Sequence, residues 1–164
     1  MKEFQQRLKS ELKPILADIE QQRAEADAAS EVEKNAAELK LARLAESKRI
    51  AVEFATQILD PLGRTIGDEF PNAKSHFTTE YDGDTIRWWG TAGWTLEVEN
   101  NTISLEILYK PDKLELRAHV YVGLGPTFYE KRDVDIASFD PKAAQDWFQT
   151  QGLAAAKHFL SHKK

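Results

Sequence analysis

The distribution of glycine and proline divides this chain into two parts. The first glycine is Gly63, and Pro14 is the only proline before Pro61. Glycine and proline disfavour helix interiors more than any other residues, so a long helical segment can extend over about the first 60 residues. Aromatic residues, which fill compact cores, show the opposite distribution, because only Phe4 and Phe54 precede Pro61.

These distributions predict an α+β protein. We expect a helical, coiled-coil-like segment over residues 1–62 and a domain of antiparallel sheet plus C-terminal helix over residues 63–164.

Large apolar residues in the first segment recur at intervals of three and four. They are Phe4, Leu8, Leu12, Ile15 and Ile19. After a stretch of smaller residues, the same spacing resumes as Ala37, Leu41, Leu44, Lys48, Ala51, Ala55, Ile58 and Leu62. This periodicity predicts one apolar helix face and is typical of helices that pair.

Two arrangements of the first segment stay open. A single helix over residues 15–60 would measure about 69 Å, longer than a small domain, and would need a partner chain. Alternatively, the chain turns near residues 27–30, with Ser30 and Glu33 forming a capping box for a second helix. In either case, Pro14 opens a helix or kinks one.

Beyond residue 71 the apolar period changes to two, which predicts an antiparallel meander of five to six strands. We expect strands at residues 76–81, 85–89, 94–98, 103–109, 114–122 and around 127–132. Turn signals occur at Asp82-Gly83-Asp84 and Asn100-Asn101. Asp140 and Pro141 are suited to begin a last helix, which should cover the apolar face of the sheet.

Composition excludes some functions and disfavours others. With 22 Lys and Arg against 27 Asp and Glu, the net charge is −5, which disfavours nucleic-acid binding. The chain has no cysteine, which excludes disulfides, thiolate metal sites and cysteine nucleophiles. His158 and His162 have a metal-like spacing but lack the glutamate of a zinc-peptidase helix, so we predict no metal site and no cofactor. No apolar run is long enough for a membrane span, and we expect a cytoplasmic protein.

One cluster of residues is a candidate binding site. The predicted alternation places Arg117, His119 and Tyr121 on the polar face of the sheet, and we add Trp89 because adjacent tryptophans must point to opposite faces. A histidine beside carboxylates and a tyrosine could act as a general base. The same residues would equally suit an ordinary solvent-facing sheet surface, so we assign no catalytic residue.

Three functional hypotheses follow. The leading one is a non-enzymatic interaction or scaffold protein that self-associates through its N-terminal helices, with a homodimer favoured and a protein partner allowed. The alternative is a small-molecule-binding domain or minor enzyme that uses the polar sheet face around His119. The third is a secretion- or phage-type chaperone with an apolar groove between the sheet and the helices.

Overall fold

A computed structural model describes residues 1–70, 73–81, 84–91, 101–122 and 125–161. The helical elements are α1 Lys2–Phe54, a π-helical turn Ala55–Leu59, α2 Asp60–Asp68, a 3-10 turn Ile136–Ser138 and α3 Pro141–Ser161. The strands are β1 Lys74–Tyr81, β2 Thr85–Thr91, β3 Thr102–Lys110, β4 Lys113–Val122 and β5 Gly125–Asp135. The predicted α+β fold with an antiparallel meander is therefore confirmed.

The chain divides into two units, Met1–Ala42 and Arg43–Lys164. The domain boundary that we placed at residue 62 stays a prediction.

The first unit is helical from Lys2 onward and passes through residues 27–30 without a turn. The chain therefore adopts the single helix rather than the hairpin. Pro14 lies inside the helix, about three turns from its start, so it does not open it. Every side chain of residues 1–42 is exposed.

In the second unit the sheet order is β1-β2-β3-β4-β5, with every neighbouring pair antiparallel. Each strand therefore pairs with its neighbour in sequence. The strand predicted at residues 94–98 lies outside the described residues, and β2 pairs directly with β3 through Thr91 and Thr102. The predicted turn residues Asp82, Gly83 and Asn100 also lie outside them.

Both α2 and α3 cover the apolar face of this sheet, α2 over β1 and β2 and α3 over β3 and β4. Trp88, Leu105 and Leu116 are fully buried beneath them. Aromatic rings pack the helical segments against each other, because the Phe54 ring centroid lies 5.9 Å from that of Phe148 and the Phe70 centroid lies 5.3 Å from that of Phe159. The last helix therefore covers the apolar face, as predicted.

A ladder of mostly small residues forms the buried helix face that meets the sheet. Its members recur at every fourth position and are Ser47, Ala51, Ala55, Leu59, Gly63 and Gly67. The ladder passes through the π-helical turn Ala55–Leu59. A π-helix has more residues per turn than an α-helix, so residues four apart stay on one face there. The closest approach is at Gly63, where a Cβ atom would overlap the ring of Trp88.

Helix α3 begins as predicted, because the backbone N–H of Lys142 donates to Asp140 Oδ1 at 3.0 Å. Within the part of the chain that the structure describes, no helix combines the length and the apolar character needed to cross a membrane.

Candidate functional site

Strand pairing places the predicted site residues on one face of the sheet. One row across all five strands consists of His76, Trp89, Ser104, His119 and Tyr129. The adjacent row consists of Thr78, Arg87, Glu106, Arg117 and Lys131. Directly opposed residues in an antiparallel sheet share a face, so all of these side chains lie on the polar face.

The predicted residues form two groups. Arg117, His119 and Tyr121 alternate along β4, and the ring centroids of His119 and Tyr121 are 4.8 Å apart. Trp89 lies on β2, across β3 from His119, which is about 10 Å at the usual strand spacing. Instead of contacting the other three, Trp89 stacks on His76 at 4.1 Å, with the Arg87 guanidinium 5.5 Å from its ring.

At the centre of the polar face lies a buried carboxylate, Glu106, with 6% of its surface exposed. Its Oε1 atom lies 3.1 Å from His119 Nε2 and 3.8 Å from Arg87 Nη1, and it accepts a 3.3 Å hydrogen bond from Ser104 Oγ. Burial alone raises the pKa of Glu106, but His119 and the nearby guanidinium groups outweigh it and lower that pKa below its usual value. We therefore expect Glu106 to be ionised at neutral pH.

His119 is 4% exposed, yet neither of its ring nitrogens has a hydrogen-bond partner among the described residues. The 3.1 Å approach to Glu106 is close in distance but poorly aligned for a hydrogen bond. The imidazole lies between Tyr121 and Tyr129, whose ring centroids are 4.8 and 6.0 Å away. Burial, followed by the charge of Glu106, raises the pKa of Tyr121.

Arg117 belongs to a second ionic group on the same face. Its Nε lies 2.8 Å from Glu115, which also contacts Lys110 at 3.0 Å and Lys131 at 3.8 Å. Burial raises the pKa of Glu115, but Arg117 and Lys110 overcome this and lower it to about 2. The predicted binding residue Arg117 is thus engaged in a structural ion pair, which also raises its own pKa despite burial.

The site residues predicted from the sequence do not include Glu106, Ser104, His76 or Tyr129. One feature of the sequence could have located Ser104 and Glu106. The two-residue loop Pro111-Asp112 fixes the register of β3 against β4 and so places Ser104 opposite His119. Asp112 supports this turn with a φ of 66°, a left-handed conformation that aspartate tolerates.

Among the described residues, no three His, Cys, Asp or Glu side chains form a metal-binding group. His162, one of the predicted histidine pair, lies outside them.

A different candidate surface lies on the first unit. Phe4, Leu8, Leu12, Ile15 and Ile19 are all exposed, from 39% at Leu12 to 64% at Phe4. We call these five residues the N-terminal stripe.

An apolar groove also lies between α2 and α3. Its lining includes Leu62, Ile66, Phe70, Leu153 and Leu160. The chaperone hypothesis predicts an apolar groove between the sheet and the helices, whereas this groove lies between two helices. The chaperone hypothesis therefore stays a prediction.

A scan of the chain against models of protein families finds no match, and a comparison with proteins of curated function finds none.

Proposed function

We propose that this chain is a non-enzymatic interaction protein that self-associates through its first helix as a homodimer. The observation that carries the proposal is the N-terminal stripe, five large apolar side chains exposed on one face of a helix. Burying such side chains against a partner contributes about 25 cal/mol per Å² of apolar surface, from which the entropic cost of association is subtracted.

The energetics of an isolated helix support the same proposal. Helices in proteins derive most of their stability from packing, and residues 1–42 contain no buried side chain. Exposed pairs such as Arg7–Glu11, at 2.9 Å, contribute only a few tenths of a kcal/mol. Pro14 opposes them with a cost of about 3 kcal/mol relative to alanine. Association through the stripe would supply the missing stabilisation.

We place the association surface before residue 43, because the part of the second predicted stripe that lies beyond that residue contributes to the core of its own unit. Ala51 and Ala55 are fully buried in the core of Arg43–Lys164, and Ile58 and Leu62 pack against that core.

Light scattering on the full chain tests the proposal. The unmodified chain should have the mass of a dimer, and Leu12→Glu should shift it toward the monomer because a carboxylate would enter the apolar interface. Leu39→Glu is the matched control, since Leu39 is also exposed but lies away from both stripes. A monomer at all concentrations, or equal effects of the two variants, would contradict the proposal.

A second function is favoured by a separate observation: the imidazole of His119 is buried, and its ring nitrogens make no well-aligned hydrogen bond among the described residues. Buried polar atoms are normally hydrogen-bonded, and their exceptions need an explanation. We propose that a small polar ligand binds the polar face and hydrogen-bonds His119 beside ionised Glu106.

Thermal shift measurements with sugars, nucleosides and small carboxylates test this second function. His119→Ala should abolish a ligand-induced shift, whereas His76→Ala, an exposed histidine of the same row, should retain most of it. If none of these compounds shifts the melting temperature, or if both variants respond as the unmodified chain does, His119 has no binding role.

A further inference from the structure

We infer that two copies of this chain pair through residues 8–29 as parallel, in-register helices. This inference rests on the proposed self-association and adds the orientation of the partner, which is a second copy of the same chain. It is argued from the charges that flank the apolar positions.

The apolar positions fit one heptad repeat over this range. Positions a and d, which face a partner, are Leu8, Leu12, Ile15, Ile19, Gln22, Ala26 and Ala29. We call these seven residues the seam. The repeat stops at Ala29 because the next position a is Glu33, which would place two carboxylates inside a parallel interface.

The two flanks of the seam carry opposite charges. On the g flank, immediately before each position a, lie Glu11, Asp18 and Glu25. On the e flank, immediately after the first three d positions, lie Lys9, Leu16 and Arg23, and Ser30 follows the fourth. All seven side chains are exposed and therefore available to a partner. One flank is uniformly acidic, and the other carries basic and neutral residues but no carboxylate.

Antiparallel pairing would bring like charges together. In an antiparallel coiled coil the g flank of one helix faces the g flank of the other, and the e flank faces the e flank. Because Glu11, Asp18 and Glu25 repeat every seven residues, every apolar register apposes carboxylates with carboxylates. Like charges across an interface oppose association and select against that orientation.

Parallel pairing removes this repulsion. Each g residue then faces the e residue five positions later on the other helix. Asp18 faces Arg23 of the second copy, and the symmetry of the dimer gives this attractive pair twice. Glu11 faces Leu16, and Glu25 faces the neutral Ser30, so no like charges meet. Charge complementarity therefore favours the parallel arrangement.

Cysteine cross-linking tests the orientation. Because the chain has no native cysteine, any disulfide must form through the introduced residue. Residue 22 occupies position d, so in a parallel in-register pair the two copies of Gln22→Cys would lie within disulfide distance. In any antiparallel register a d residue faces an a residue, so residue 22 never faces itself. The adjacent Gln21→Cys is the matched control, because residue 21 points away from the seam.

We expect Gln22→Cys to give a disulfide-linked dimer under mild oxidation and Gln21→Cys to give little. Light scattering on the reduced Gln22→Cys variant separates the possible failures. A reduced monomer would overturn the proposed self-association, and the orientation with it. A reduced dimer that does not cross-link, or that cross-links equally in both variants, would overturn the parallel orientation alone.

Arg23→Glu provides an independent measurement. In the parallel pair it converts two attractive contacts with Asp18 into repulsive ones, and we expect the dissociation constant to rise about tenfold. Arg23→Lys should preserve affinity. In an antiparallel pair, Arg23→Glu would instead relieve repulsion on the basic flank, so unchanged or tighter association would overturn the inference.

Discussion

Two stretches of one long helix carry apolar residues at the same spacing but have opposite burial. In residues 4–19 the apolar side chains are large, and all of them are exposed. In residues 47–59 the buried face includes Ser47, Ala51 and Ala55, none of which has exposed surface. The buried stretch presents several small side chains to the core, whereas the large apolar side chains of residues 4–19 are exposed.

The difference shows what a helical repeat specifies. Periodicity determines that a face exists, whereas side-chain size determines how closely another layer can approach it. Gly63 and Gly67 admit the ring of Trp88. The leucines and isoleucines of the N-terminal stripe instead suit interdigitation with a second helix.

The largest expected effect tests the close approach at Gly63. A Cβ atom in Gly63→Ala would overlap the ring of fully buried Trp88, and we expect a loss of about 3 kcal/mol in the free energy of unfolding. Gly67→Ala is the control, since its Cβ would find ordinary contacts at 3.7 Å and should leave stability unchanged or higher. Urea denaturation followed by tryptophan fluorescence measures both. Equal stability of the two variants would show that the helix does not pack more closely on Trp88 at Gly63 than at Gly67.

The next effect concerns the exposed stretch. Pro14 leaves the carbonyl of Ser10 without its helical N–H partner, so Pro14→Ala should favour the helix by about 2–3 kcal/mol. Because this helix has no buried contact within residues 1–42, the gain should appear as higher helicity and tighter association on dilution, measured by circular dichroism. Urea unfolding of the tryptophan-containing unit should not change. A shift in that unfolding would contradict the independence of the two stretches.

Ion pairs extend the comparison from apolar to charged groups. Glu115 has a pKa of about 2 in the folded chain against a usual 4.5, so its stabilisation is present above pH 4.5 and is lost as the pH falls toward 2. We expect Glu115→Gln to cost about 2 kcal/mol at pH 7, allowing for the exposure of its lysine partners, and progressively less below pH 4.5.

Glu11→Gln, which removes the exposed partner of Arg7, should cost only a few tenths of a kcal/mol at any pH. Urea unfolding at several pH values measures both variants. A pH-independent deficit for Glu115→Gln would show that packing, rather than charge, is lost.

The smallest expected change in stability comes from replacing two serines of the same helix. Ser47 is fully buried, and its hydroxyl has no hydrogen-bond partner among the described residues, whereas Ser10 is exposed. Both Ser→Ala changes gain helix propensity, but Ser47→Ala also removes an unsatisfied buried group and should be about 1 kcal/mol more stabilising. Thermal unfolding measures the difference. Destabilisation by Ser47→Ala would reveal a role for the hydroxyl.

The elements of the fold could be predicted because their patterns are local. Alternation located β3 and β4 to within one residue at each end, and the Asp140 cap located the start of α3. The buried helix face was harder, because the prediction continued an α-helical repeat through Ile58 and Leu62. The π-helical turn at Ala55–Leu59 instead places Leu59 and Gly63 in the buried ladder.

The candidate site could be predicted only in outline. Alternation correctly placed His119 and its neighbours on the polar face, but that face was expected to be solvated. Its central side chains Ser104, Glu106 and His119 are buried, because burial depends on surrounding side chains that a one-dimensional pattern does not contain. Arg117 is likewise engaged by Glu115 two residues away on its own strand, a pairing that residue type alone does not reveal.

The order of the sheet has a consequence for folding kinetics. Since the described strands pair in the order in which they are made, each hairpin can close as soon as its second strand is available, with little loop entropy to overcome. Residues 47–67 precede the strands and supply part of the cover for the apolar face before α3 is made. We therefore expect rapid folding of residues 43–161, with the docking of α3 as the last step during synthesis.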